Sequence, residues 1–166
     1  MSKNLYHVVI TILVVFTTSC GNSNSEASQS EVTLLDAEYS NKLYSEIALK
    51  VEGGDSSINL TEVFDFDWNK LIIPKAYSNL ESIKKEYKGM NKQIERIKYD
   101  DARSLLLFAK DDQIIKYIFL SNVKSNFSSI QEESVRIYER GESQFMIDVQ
   151  VNKNGKTSTR LRPLKE

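Results

Sequence analysis

Two apolar runs separated by three polar residues constrain the fold of this chain more than any other feature. Residues 104–109 read SLLLFA and residues 113–120 read QIIKYIFL, with the tripeptide Lys110-Asp111-Asp112 between them. Short runs rich in apolar and β-branched residues, bounded by turn-forming residues, are typical of β-strands. The sequence therefore predicts an antiparallel β-hairpin here.

The region before this hairpin carries helical periodicity. Over residues 37–52 an apolar stripe recurs at helical spacing, formed by Tyr39, Leu43, Ile47 and Val51. Asp36 stands in the N-cap position, and Gly53-Gly54 follows the last turn. Aspartate at the start and glycine after the end are typical of helix boundaries. We predict a first helix over 37–52.

A second, shorter helix is predicted over residues 79–88. Ser78 and Glu81 have the spacing of a capping box, and Gly89 follows as a natural terminator. The side chains expected to face inward are Leu80, Ile83 and Tyr87.

Between the two helices, residues 63–73 (VFDFDWNKLII) alternate in polarity. This period of two predicts an extended segment that enters a β-strand and ends at Pro74. One side carries Phe64, Phe66 and Trp68, and the other carries Asp65, Asp67 and Asn69.

The remainder of the chain predicts further strands. Residues 135–140 and 144–151 are expected to form a hairpin around Gly141, and Asn154-Gly155, a type I′ turn signal, leads to a last strand at 156–161. Residues 94–99 fit either a helix or a strand. The predicted fold class is α+β, with one or two helices packed on one face of an antiparallel β-meander sheet of four to five strands.

The positions of histidine and cysteine limit the chemistry that the chain can perform. His7 is the only histidine and Cys20 the only cysteine, and both lie in the first twenty residues. Beyond Cys20 the chain cannot form Ser-His-Asp or Cys-His catalytic machinery, a zinc site of nitrogen and sulfur ligands, or a disulfide. The sequence predicts no cofactor.

Carboxylates leave two alternatives open. Asp65, Asp67 and Asn69 resemble the opening of a calcium loop, but Lys70 and Ala76 stand where an EF-hand has Gly and Glu. Paired acids could also serve a carboxylate-dependent hydrolase. The candidate pairs are Asp65/Asp67, Asp100/Asp101 and Asp111/Asp112. The alternative interpretations are a solvated strand face and ordinary turn residues.

Basic residues near the end of the chain form a candidate interaction surface. Lys156, Arg160 and Arg162 share one face of the last strand if that strand is regular. They could meet a lipid phosphate, a polyanion or an acidic protein. Alternatively, they form a charged edge strand that discourages aggregation. A pI near 6.0, together with the secretory signal peptide expected over residues 1–19, argues against nucleic acid as the partner.

The first nineteen residues have the layout of a secretory signal peptide. A short head with Lys3 precedes the apolar residues 5–16, and small residues 17–19 follow. Twelve helical residues span about 18 Å, which is shorter than the roughly 30 Å hydrocarbon core of a bilayer. We therefore expect this segment to target the chain rather than to span the membrane.

Residues 17–20 (TTSC) resemble the lipobox of bacterial lipoproteins. Ser19 and Gly21 fit its pattern, whereas Thr17 stands where an aliphatic residue is usual. The resemblance implies that Cys20 carries a diacylglyceryl group, and acyl chains anchor a protein stably when two or more are present. Ordinary secretory cleavage at the same residues is the alternative.

We expect residues 20–33 to form the lipidated Cys and a flexible tether, and residues 34–166 to form a single domain. Because Gly21 is not acidic, the resemblance favours the outer membrane in a bacterium with two membranes.

A second resemblance covers residues 60–120. Trp68-Asn69-Lys70, the strand to Pro74 and the turn at Tyr77 before a short helix are similar to small bacterial envelope lipoproteins with a W-[DN]-K segment. This resemblance implies a fold but no activity. Together these observations predict a lipid-anchored envelope protein that binds another envelope protein without catalysis.

Overall fold

The computed structural model describes residues 32–35, 37–96, 101–127, 134–151 and 153–164. Within these ranges it contains four α-helices: α1 Ala37–Glu52, α2 Leu60–Val63, α3 Glu81–Glu86 and α4 Lys92–Glu95. The strands are β1 Thr33–Leu34, β2 Ser57–Asn59, β3 Lys70–Pro74, β4 Arg103–Lys110, β5 Gln113–Ser121, β6 Val135–Glu139, β7 Gln144–Val151 and β8 Thr157–Pro163. The fold class is α+β, as predicted.

The strands form two sheets. A five-stranded central sheet has the order β1-β5-β4-β3-β6, and a three-stranded sheet has the order β2-β7-β8. Every pairing is antiparallel except that of β1 with β5. The predicted hairpin over 104–120 is confirmed as β4 and β5, and β3 joins them as a meander.

Both faces of the central sheet are buried. All six residues between the ends of β4 are buried, and the five apolar ones divide by alternation between two core clusters. Leu106 and Phe108 belong to the first cluster, and Leu105 and Leu107 belong to the second. The apolar run in β4 therefore reflects a strand covered on both sides.

Different elements cover the two faces. The first cluster contains Leu43 and Ile47 of α1 together with Phe145 of β7, whereas the second contains Ile83 of α3 and Ile94 of α4. The prediction of a single sheet with helices on one face is therefore wrong, because the chain makes two sheets and its helices contribute to cores on opposite faces.

Helix α1 has the predicted bounds, Ala37–Glu52. Leu43 and Ile47 are buried, but Val51 is exposed because the helix extends beyond the core in its last turn. Asp36, the predicted N-cap, lies outside the described residues.

The second predicted helix is shorter than expected and is not capped by Ser78. Helix α3 covers Glu81–Glu86, and Asn79 Oδ1 accepts a hydrogen bond from the Glu81 N–H at 3.0 Å. The Ser78 hydroxyl instead donates to the Lys75 carbonyl at 2.6 Å. The inward positions Leu80, Ile83 and Tyr87 are confirmed as buried. Residues 97–99 of the ambiguous segment lie outside the described residues, and Ile94 lies in α4.

The predicted hairpin around Gly141 is wrong. Strand β6 pairs with β3 in the central sheet, whereas β7 pairs with β2 and β8 in the other sheet. A 3-10 helix at Arg140–Glu142 carries the chain from one sheet to the other. The Tyr138 and Phe145 rings pack edge to face at 5.3 Å, so side-chain packing joins the two strands where backbone pairing does not.

The turn at Asn154-Gly155 does connect two paired strands, β7 and β8. However, Val151 pairs with Thr157, and only Gly155 of the two turn residues has a positive φ. A type I′ turn requires positive φ at both central residues, so the connection is a longer loop.

The alternating segment 63–73 begins in helix α2 and becomes a strand only at Lys70. Phe64 and Trp68 are buried as predicted, Phe66 is partly buried, and Asp65 and Asp67 are exposed. Pro74 ends the strand, as predicted.

Candidate interaction surface and acidic clusters

The predicted signal peptide, Cys20 and most of the predicted tether lie outside the described residues. The first described residues already belong to the fold: Val32 packs against the second core cluster, and Thr33, which was expected to lie in the tether, lies in β1. In the described part of the chain, no helix is long and apolar enough to cross a membrane.

A groove of about 960 Å³ lies between β1 and the start of α4. Its lining includes Val32, Leu34, Met90, Gln93 and Tyr117. The Tyr117 hydroxyl donates a hydrogen bond to Gln93 Oε1 and thereby links β5 to α4. The groove therefore adjoins Val32, the first residue that the structure describes.

The side chains of the candidate calcium loop contact different partners. Asp65 lies 3.5 Å from Lys42 Nζ and accepts a hydrogen bond from the Tyr39 hydroxyl at 3.3 Å, whereas Asp67 forms an ion pair with Lys110. Asn69 bonds to Asp111. The side chains of Asp65, Asp67 and Asn69 therefore each contact different neighbouring residues.

These ion pairs lower the pKa of the carboxyls. The charge of Lys42 lowers the pKa of Asp65, and hydrogen bonding to Lys110 lowers the pKa of Asp67. A general acid at neutral pH needs a raised pKa, which these partners oppose.

The other candidate acid pairs lie in turns. Asp111 and Asp112 connect β4 and β5, and the Lys88 ammonium bonds to Asp112 at 2.7 Å and lowers its pKa. Asp101 lies in an exposed bend, and Asp100 lies outside the described residues. Within the described ranges, no group of three or more acidic, histidine or cysteine side chains is placed to hold a metal ion.

The predicted basic residues lie on or beside the outer face of the three-stranded sheet. Leu161 is buried on the inner face, so by alternation Arg160 and Arg162 of β8 lie on the outer face. Lys156 is exposed in the loop that precedes β8. The structure therefore brings Arg160 and Arg162 together.

Two residues of β7 complete this surface. Asp148 pairs in register with Arg160, and Met146 pairs in register with Arg162. Met146 is 43% exposed, and Arg162 forms an ion pair with Asp148. We call the surface formed by Met146, Asp148, Arg160 and Arg162 the basic face.

The basic face carries more positive than negative charge. Asp148 is the only carboxylate in the three strands of this sheet. Its pKa is lowered chiefly by the hydrogen bond from Arg162 and also by the charge of Arg160. One carboxylate therefore serves two guanidinium groups, which leaves an excess of positive charge.

Arg160 and Arg162 were predicted from the sequence to belong to an interaction surface, whereas Met146 and Asp148 were not. The alternation of residues 144–151 places 146 and 148 on one face, so that signal was present in the sequence. What the sequence could not provide was the register that sets them opposite the two arginines.

Comparison of the chain with protein-family models, curated proteins and solved structures finds no match.

Proposed function

We propose that this chain is a lipid-anchored protein of the bacterial cell envelope that binds another envelope protein without catalysis. The observation that carries the binding part is the basic face, where Arg162 lies opposite the exposed Met146 and Arg160 lies opposite Asp148 on a regular sheet. Arginine and methionine are enriched at protein–protein interfaces, and a sheet holds them in fixed positions.

The charge of the basic face indicates which kind of protein surface it would bind. Because Asp148 neutralises one guanidinium group at most, the face favours an acidic surface on the bound protein. A carboxylate of the partner could bond to Arg160 with bidentate geometry. Charge complementarity of this kind raises the association rate and selects among partners.

The anchoring part of the proposal rests on the leader and on Cys20. The tether between Cys20 and the first described residue contains eleven residues, 21–31, rich in Gly, Ser and Asn. A flexible chain of this length has a root-mean-square reach of about 18 Å. The domain would thus remain close to the bilayer while its basic face stays free to meet a protein. In a bacterium with two membranes we place it at the outer membrane.

A carboxylate-dependent hydrolase is the alternative function, and it receives less support. Its candidate carboxyls Asp65, Asp67 and Asp112 lie in ion pairs with lysines that lower their pKa. In the binding proposal the same aspartates are structural.

A photo-crosslinking amino acid at position 146 tests the binding proposal in cells that express the full chain. We expect one discrete crosslinked species in the membrane fraction, which the double substitution Arg160→Glu and Arg162→Glu abolishes. Lys85→Glu is the matched control, because Lys85 is exposed on α3, whose core residues pack on the opposite face of the central sheet. The proposal is wrong if position 146 gives no crosslink, or if the double variant and the control give the same crosslinks as the unchanged chain.

A further inference from the structure

The two edges of the central sheet are protected to different extents. At one edge, β1 is only two residues long, and Leu35 N–H donates to the Tyr117 carbonyl at 2.8 Å. Further along β5, Ile114 N–H donates to the Lys88 carbonyl at 2.9 Å, and Ser121 N–H donates to the Tyr44 hydroxyl at 2.9 Å. Short edge strands and covering groups of this kind block the addition of a further strand.

The other edge is β6, which pairs with β3 along one side. Two hydrogen bonds bracket this ladder: Arg140 N–H donates to the Asn69 carbonyl at 2.8 Å, and Lys75 N–H donates to the Ser134 carbonyl at 2.9 Å. In an antiparallel ladder, alternate residues bond to the neighbouring strand. The N–H and C=O groups of 136 and 138 therefore also face β3.

The intervening residues of β6 direct their backbone groups away from the sheet. These residues are Val135, Ile137 and Glu139. The Glu139 carbonyl accepts the first hydrogen bond of the 3-10 helix Arg140–Glu142. None of the other outward-facing backbone groups of these residues bonds to any residue in the described ranges. Ile137 is also 42% exposed, although its cross-strand partner Ile72 is fully buried. Strand β6 thus combines an open backbone edge with an exposed apolar side chain.

We propose that β6 pairs with β6 of a second copy of this chain, in an antiparallel arrangement with a two-fold axis at Ile137. Val135 then lies opposite Glu139 of the copy, and Ile137 lies opposite its own equivalent. The outward backbone groups of these three residues then pair across the axis, with the Glu139 carbonyl accepting a second hydrogen bond, and the two five-stranded sheets become continuous.

The charges on β6 favour this pairing register over the two registers shifted by one residue pair. A shift by one residue pair in one direction places Arg136 directly opposite Arg136 of the copy, and a shift in the other direction places it opposite Arg140. Like charges directly opposite each other destabilise a strand pair. In the register centred on Ile137, Arg136 lies opposite Tyr138 instead, and no like charges face each other.

The protection of the β1 side determines the kind of assembly. If both edges were open, copies could add at either end and form an open fibre. Because β1 and the contacts from Lys88 and Tyr44 cover the β5 edge, copies can pair only through β6, and the assembly closes as a two-fold dimer. This dimer leaves the basic face, which lies on the other sheet, available to a different protein.

Sedimentation equilibrium of the full chain in detergent solution tests the proposal. We expect a reversible dimer whose dissociation constant rises by at least about tenfold on Ile137→Lys, which places two ammonium groups opposite each other. Leu49→Lys, at an exposed position on α1, is the matched control and should leave the dissociation constant unchanged. A monomer at every concentration, or a dimer that Ile137→Lys leaves intact, would overturn the proposal.

A crosslink tests the register even if Ile137→Lys disturbs the fold. In a Cys20→Ser background, Ile137→Cys should form a disulfide-linked dimer under mild oxidation, because paired Cα atoms in an antiparallel ladder lie about 5.5 Å apart. Leu49→Cys in the same background should give no disulfide-linked dimer. Absence of the Ile137→Cys dimer, or equal crosslinking at both positions, contradicts the proposed pairing.

Discussion

Asn69 and Asp111 exchange two hydrogen bonds across 42 residues of sequence. Asn69 Nδ2 donates to Asp111 Oδ1 at 3.0 Å, and Asp111 N–H donates to Asn69 Oδ1 at 3.0 Å. Asp111 has a φ of 55°, in the left-handed region that few residues other than glycine occupy. The pair therefore holds the β4–β5 turn in its conformation and attaches it to the start of β3.

Replacement of Asn69 should weaken this attachment in a pH-dependent manner. Asn69→Asp retains an acceptor for the Asp111 N–H but places a carboxylate against the Asp111 carboxylate. We expect the free energy of unfolding at neutral pH to fall by about 1 kcal/mol. The loss should decrease towards about pH 4, where the introduced carboxylate becomes protonated. Urea unfolding at both pH values measures it, with Asn69→Ala as the control that lacks the repulsion. Equal stability of Asn69→Asp and the unchanged chain at neutral pH would contradict the expectation.

Trp68 should be the most costly single side chain to truncate. It is 1% exposed, its indole N–H donates to the Phe64 carbonyl at 2.9 Å, and its ring meets Phe108 edge to face at 5.3 Å. The Arg140 guanidinium lies 5.1 Å from the centre of the ring. We expect Trp68→Ala to lower the free energy of unfolding by about 3–5 kcal/mol.

Trp68→Phe is the matched control for this position. It retains aromatic packing but loses the hydrogen bond to Phe64, so its loss should be clearly smaller than that of Trp68→Ala. Thermal and urea unfolding compare the three proteins. Near-normal melting of Trp68→Ala would show that the ring contributes little to the core.

The elements predicted correctly are those specified by local sequence. Helix α1 and the β4–β5 hairpin were recovered because periodicity and turn residues act over a few positions. The candidate surface was recovered in part, because alternation alone places Arg160 and Arg162 on one face.

The second sheet was missed because its pairings are non-local. Gly141 separates two strand-like runs, as a hairpin turn would, yet β6 pairs with β3 and β7 pairs with β2. Sequence alternation specifies which face a side chain occupies but not which strand lies beside it. For the same reason the sequence could not reveal that Asp148 lies opposite Arg160.

Gly89 should be intolerant of a side chain. Its φ is 93°, and a Cβ atom there would lie 2.6 Å from Val32 Cγ2 and 2.9 Å from the Ile114 carbonyl oxygen. Gly89→Ala should therefore displace Val32 and the adjacent β1 from the sheet. Gly155→Ala is the control, because Gly155 also has a positive φ but a Cβ atom added there would meet no other atom within 4 Å in the described part of the chain.

We expect Gly89→Ala to lower the melting temperature more than Gly155→Ala does, since only the former adds a steric clash to the backbone strain. Limited proteolysis provides a second measurement, because release of Val32 should accelerate cleavage near the start of the fold. Similar melting temperatures and similar cleavage rates for the two variants would contradict the clash.

Acid should destabilise the fold through its exposed ion pairs. Hydrogen bonds from Lys110 and Lys88 lower the pKa of Asp67 and Asp112 below that of an unfolded aspartate. The contribution of these two ion pairs to the free energy of unfolding is therefore present above about pH 4. It is lost as the pH falls through the pKa that each aspartate has in the folded state. Both pairs are exposed, so the effect should be small and should weaken with added salt. Asp67→Asn and Lys110→Met should each flatten the same part of the curve of unfolding free energy against pH. A curve that neither substitution changes would mean that this pair does not contribute to the acid response.

Cys20 determines where the protein resides if the proposed anchor is correct. Cys20→Ser removes the thiol that would carry the diacylglyceryl group, and without acyl chains the domain has only weak attachment to a bilayer. We expect the variant to move from the membrane fraction to the soluble fraction, and from the detergent phase to the aqueous phase in a detergent partition experiment. Mass spectrometry of the unchanged chain should show the added lipid at Cys20 and the absence of residues 1–19. Ser25→Thr is the control, because it lies outside the lipobox-like residues 17–21 and retains the thiol. Unchanged partitioning of Cys20→Ser, or an unmodified thiol in the purified protein, would contradict lipid anchoring while leaving the basic face and the β6 edge to be tested separately.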